Sequence, residues 1–162
     1  MKSIDPLLEK FTTRFDDQDN EGFSGMKSAS SLLDSIYTRL PARFPRLFEQ
    51  LLCTYRWPEI KCANLRLLPN LPGDDFSGFA NELFRDRSLI DALLPHGLIP
   101  FARAVDGRAY DPICFDTARR RQGGDCPLTR VDHEAALLDN RVRRVMELAP
   151  TFHAWVKATL GE

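Results

Sequence analysis

Between Gly97 and Asp132, short apolar runs alternate with turn residues in the way a small antiparallel sheet requires. Leu98 to Val105 reads as a strand, and Asp106-Gly107 as a hairpin turn, because that dipeptide accepts positive φ at little cost. A type I′ turn here would need positive φ at Gly107. Arg108 to Asp116 returns as a second strand. After the Arg- and Gly-rich loop from Arg119 to Cys126, Leu128 to Asp132 reads as a third. The expectation is an α+β fold: a small, mainly antiparallel sheet flanked by helices.

A chain of 162 residues is long enough to bury about 70% of the surface its unfolded form exposes, and it fits one domain over residues 1–162. The helical segment over about residues 1–39 reads as an N-terminal extension. A net charge of -1 provides no global attraction to nucleic acid or anionic lipid. Arg119-Arg120-Arg121 is the one compact basic run, and no aromatic alternates with it to stack bases, so no nucleic-acid partner is expected. Four cysteines, at 53, 62, 114 and 126, lack Cys-x-x-Cys spacing and read as reduced thiols. The first residues carry no apolar run of a signal peptide and no stretch approaches a membrane span, so the expected location is the cytoplasm, with no membrane partner.

Ile4, Leu7, Leu8, Phe11 and Phe15 recur at helical spacing behind Asp5-Pro6. Asp16 to Ser28 is polar and reads as an exposed loop. Its Asp17, Asp19 and Glu21 imitate a calcium loop, but position 12 counted from Asp17 is Ser28, not the Glu that calcium needs. Ser31 and Asp34 resemble a capping box for a helix carrying Leu32, Leu33, Ile36, Tyr37 and Leu40. Pro41 and Pro45 interrupt it, since each lacks an amide hydrogen. Phe44, Leu47, Phe48, Leu51, Leu52 and Tyr55 then form an apolar helical stripe, a core pattern. Glu59 to Leu68 alternates as one strand. Asp75 and Ser88 are candidate caps for two further helices. His133 to Asn140 is ambiguous between loop and helix, Val142, Val145, Met146 and Ala149 suggest a short helix, and Pro150 opens a last one with Phe152, Trp155, Val156 and Leu160 inward.

Enzyme chemistry has three candidates. Cys114 could be a nucleophile with His133 or His96 as base and Asp116 or Asp132 as orienter. It sits between Ile113 and Phe115 inside a strand, however, where a packed thiol is expected rather than an activated one. Cys114, Cys126, His133 and His96 lack the close spacing of zinc motifs. Asp111 and Asp116 could work as paired carboxylates, though such pairs are common in turns and at sheet edges. The residues point to no catalytic group, metal or cofactor.

The stretch Gly97-Leu98-Ile99-Pro100-Phe101-Ala102, Asp106-Gly107, Tyr110 to Asp116 and Leu128 to Glu134 resembles the SUKH superfamily. That group includes fungal cell-wall-assembly regulators of the SMI/KNR type and many bacterial immunity proteins. A helix from about Leu40 and the closing segment Thr151 to Val156 fit the same order. The resemblance implies a SUKH-like α+β fold and a non-enzymatic protein-binding module. Its bacterial form is an immunity protein that binds and neutralises a cognate toxin of the nuclease or deaminase class. Its fungal form is a scaffold in cell-wall signalling.

Strand alternation would point Ile113, Phe115 and Val131 to the helices, and Tyr110, Cys114, Asp116, Arg130 and Asp132 to the other face. Asp116 and Arg130 would form a cross-strand pair worth about 0.2–1 kcal/mol. With the resemblance, that second face becomes the expected partner-binding surface: Arg103, Asp106, Tyr110, Asp111, Asp116, Arg130 and Asp132.

Overall fold

The first helix, α1 (Pro6–Asp16), starts where expected because Asp5 Oδ1 accepts the Leu7 amide hydrogen at 2.8 Å. It buries Leu8, Phe11 and Phe15. The structure is a computed structural model that describes residues 4–16, 22–71, 75–106, 110–121 and 123–162. The Asp17–Asp19–Glu21 cluster and Gly107 lie outside the described residues. The segment expected as an exposed loop contributes Phe23 to the core, and Ser24–Gly25 (β1) pairs with Tyr55–Arg56 (β2).

Ser30–Leu33 forms a 3-10 turn leading into α2 (Asp34–Tyr37), without a side-chain cap from Ser31. The Phe44 to Tyr55 stripe becomes α3 (Arg46–Thr54), with Phe48, Leu51 and Leu52 fully buried. The single strand expected over Glu59 to Leu68 is a hairpin, β3 (Ile60–Cys62) and β4 (Leu65–Leu67), turned at Ala63 with φ 54°. Next come α4 (Ser77–Leu83) and α5 (Arg87–Leu93). The cap of α5 is Asp86, which accepts from Leu89 N at 3.1 Å, rather than Ser88.

Strands β5 (Leu98–Ala104), β6 (Pro112–Asp116) and β7 (Leu128–Val131) lie where the sequence puts them. His133–Asp139 is a helix, α6. The short helix expected from Val142 to Ala149 is instead a strand, β8 (Arg144–Ala149), and α7 (Phe152–Thr159) closes the fold under a Thr151 cap. The order β3-β4-β5-β6-β7-β8 makes one six-stranded sheet, antiparallel throughout. Along β8 the register steps from Arg144 to Met146 and from Glu147 to Ala149, so Val145 and Leu148 are each extra residues opposite β7. Those are two bulges on an edge strand.

One face of the sheet carries the main core, built from Ile60, Leu65, Leu67, Ile99, Phe101, Ile113, Phe115 and Leu128 beneath the apolar sides of α1, α3, α4 and α7. Phe48 stands at its centre, with ring centroids 5.0–5.5 Å from those of Phe44, Phe101, Phe115 and Phe152. The second face is covered over β5 to β7, where Leu93, Leu98, Cys114 and Val131 form a smaller core with Leu89 and Val142. Among the described residues no helix is long and apolar enough to cross a membrane.

Candidate recognition face

The seven residues expected to share one open face are divided by the fold. Phe115 pairs with Leu128, Cys114 with Thr129 and Ile113 with Arg130. Directly opposite residues share a face, so Val131 joins Cys114, and Arg130 joins Ile113. Both assignments are the reverse of the expectation, and the smaller core then covers Cys114 and Val131 completely.

Asp116 is also fully buried, and its partner is not Arg130. Its Oδ2 accepts from Arg144 Nε at 2.9 Å, with Arg119 Nε at 3.7 Å. Asp132 is the N-cap of α6, accepting from Ala135 N at 3.1 Å, and its other oxygen faces Arg143 at 3.4 Å. Asp111 is buried as well. It accepts from Arg130 Nε at 2.9 Å and from the His133 backbone amide at 3.0 Å. These three carboxylates hold β6, β7, β8 and α6 together, and none of them is available as a partner contact.

Asp106 and Tyr110 do present a surface. Arg130 reaches from Asp111 to Asp106, donating through Nη1 at 2.7 Å and through Nη2 to the Asp106 carbonyl at 3.3 Å. Burial lowers the Arg130 pKa, but the hydrogen bonds to Asp106 and Asp111 outweigh it and leave it raised. The clamp therefore stays charged. Tyr110, 72% exposed, stands next to it with its ring 6.1 Å from the imidazole of His133.

Arg103 belongs to a different group that the alternation argument missed. Lys61 is opposite Arg66, and Arg66 is opposite Arg103. The three side chains thus lie side by side on the second face of β3, β4 and β5, where Lys61 and Arg66 are exposed and Arg103 partly so. Arg66 has one ion pair, to Glu59 at 3.3 Å, with both side chains about half exposed. Among the described residues neither Lys61 nor Arg103 has an ion pair. Reading Glu59 to Leu68 as a hairpin would reveal the row, but Asn64 alone, with no glycine, proline or aspartate beside it, is a weak mark of the turn.

The thiols occupy apolar sites. Burial pushes Cys62 and Cys126 up to about 12, raises Cys114 further, and takes half-buried Cys53 to about 11. Each therefore stays protonated near neutrality, unlike a nucleophile poised for attack. In native protein at pH 8, dithionitrobenzoate should label Cys53 first and the other three only as the chain unfolds, whereas urea should expose all of them at once. A native Cys114 that reacts ahead of Cys53 would contradict this packing. Stability should also fall as pH rises from about 9, where the unfolded thiols begin to lose protons, towards about 12, where Cys62 does so in the folded chain.

Compared with protein-family models, curated protein sequences and solved structures, the chain matches none.

Proposed function

We propose that this chain is a non-enzymatic protein-binding module of the SUKH kind, acting in the cytoplasm as an immunity protein that binds and neutralises a cognate bacterial toxin of the nuclease or deaminase class. The observation that carries the binding role is Tyr110: a large aromatic ring left 72% exposed beside the Asp106–Arg130–Asp111 ion pairs. An exposed tyrosine offers apolar area and a hydroxyl at small entropic cost, as interface anchors do. The toxin class rests on the resemblance of Gly97 to Glu134 described above. Arg103, Asp106 and Tyr110 remain as partner contacts in this reading, with Arg130 holding Asp106. Asp111, Asp116 and Asp132 pass to structural roles.

The test is rescue of growth. Co-expression with a nuclease or deaminase toxin domain, if one is found encoded beside this gene, should protect cells, and Tyr110→Ala should lose at least about 2 kcal/mol of binding, the threshold of a hot spot. The melting temperature of that variant should stay unchanged, because the ring contributes nothing to the core. Full protection by Tyr110→Ala would remove the tyrosine from the interface, and no protection by the wild type would overturn the toxin reading.

A further inference from the structure

We infer that the row Lys61, Arg66 and Arg103 is a docking strip for an acidic segment of a protein partner. The inference rests on the protein-binding reading and states the chemistry of what is bound. Three cations in direct register across β3, β4 and β5 are a costly arrangement for a lone chain, since like charges directly opposite each other destabilise a sheet. Lys61 has a separate use, because lysine on an edge strand deters unwanted strand pairing. Arg103 has no such use: β5 lies inside the sheet, between β4 and β6.

Glu59 relieves Arg66 through one half-exposed contact. Among the described residues Lys61 and Arg103 have no ion pair, and they lie away from the small core that Leu89, Leu93 and Val142 form on the second face.

Geometry selects the ligand class. Neighbouring strands are about 4.8 Å apart, so the row extends about 10 Å. Carboxylates on one side of an extended or helical segment recur at about 6–7 Å and 5–6 Å respectively, which suits such a row. A single-stranded nucleic acid needs a longer basic groove with aromatic platforms between the cations. No aromatic stands within this row, and the chain as a whole is weakly acidic, at a net -1.

The experiment uses the full-length protein and a fluorescein-labelled oligo-glutamate peptide, followed by anisotropy. The wild type should bind at about 50 mM salt and weaken steeply by about 300 mM, as the Debye length shrinks. The combined variant Lys61→Gln, Arg66→Gln, Arg103→Gln should lose about tenfold in affinity, the sum of three modest exposed pairs. A control with the same change in charge, Arg14→Gln, Arg46→Gln, Lys157→Gln, alters only exposed residues of α1, α3 and α7 on the opposite side and should bind nearly as the wild type does. The strip variant should melt at or above the wild-type temperature, which a merely structural row would not do. If the triple variant folds poorly, Lys61→Gln and Arg66→Gln singly should show the same loss in smaller steps.

Equal losses in both triple variants, no peptide binding at low salt, or tighter binding of an oligothymidylate of matched charge would each overturn the inference. Its failure is distinguishable from that of the toxin reading. Growth rescue that is indifferent to the strip variant removes the strip alone, and peptide binding without any rescue removes the toxin alone.

Discussion

Replacing Phe48 with alanine should lower the stability of this protein by about 3–5 kcal/mol, and its melting temperature by about 6–20 °C for a chain of this size. Phe48 is fully buried and its ring is edge-on to those of Phe44, Phe101, Phe115 and Phe152, all within 5.5 Å between centroids. Truncation would remove apolar area that water cannot refill and would break several ring contacts at once. The neighbours cannot close the gap cheaply, because Phe101 and Phe115 are already stacked at 4.0 Å on adjacent strands. Moving either would disturb the β5–β6 register. Urea unfolding followed by tryptophan fluorescence measures the loss, and a cost under about 1 kcal/mol would mean that this core is far more adaptable than close packing allows.

Asp111→Ala should be the most damaging polar change, at about 2–4 kcal/mol. Its two oxygens serve two elements, Arg130 on β7 and the first amide of α6 at His133. Removing the carboxylate takes from Arg130, whose side chain is only 14% exposed, its buried ion-pair partner and leaves the outer pair with the exposed Asp106. It also strands a backbone amide. Asp106→Ala, by contrast, removes a side chain that is 79% exposed and should cost no more than about 1 kcal/mol. The ranking is the test: the same clamp is cut at either end, and equal losses from the two variants would mean that burial of Asp111 contributes nothing.

The sequence exposed the frame of the sheet more readily than the direction of its side chains. Leu98 to Ala104 and Pro112 to Asp116 are long enough, and apolar enough, to be visible as strands before their packing is known. In Leu128-Thr129-Arg130-Val131, apolar residues stand at both ends three positions apart, so they fall on opposite faces and alternation alone cannot say which one meets Phe115. A slip of one residue exchanges the faces, which is how Arg130 and Val131 change places. The two-sided cover over β6 was hidden for a related reason: Pro112 to Asp116 is buried at every position, aspartate included, and a buried aspartate looks in sequence like a solvated one.

Helical starts were legible unevenly: the apolar stripe that restarts at about Pro45 leads into α3, whereas Ser31 caps nothing and Asp86 takes the place of Ser88. Asp5-Pro6 opens α1 as its chemistry suggests, and the last helix follows Pro150 as expected, but under a Thr151 cap that the expectation lacked. Asp132 followed by His133-Glu134-Ala135 is an equally good cap signal, but it was absorbed into the end of the preceding strand. The misjudged segment from Val142 to Ala149 has a sharper explanation. Each bulge on β8 adds one residue and resets the two-residue period of the strand, so no alternation marks it, and the helix-like spacing of Val145, Met146 and Ala149 includes two exposed residues.

Those bulges have a consequence for how this molecule meets others. An outermost strand with regular spacing is a template onto which any extended peptide, or another copy, can hydrogen-bond. On β8 the donor and acceptor sequence is interrupted at Val145 and again at Leu148, so an incoming regular strand falls out of step within a few residues. Recognition by lateral strand addition is thereby discouraged on the side where Val145 and Met146 are exposed. Crowded, newly made copies of the chain meet the same barrier, which lets the protein keep apolar residues on that margin without their recruiting neighbours into a growing sheet.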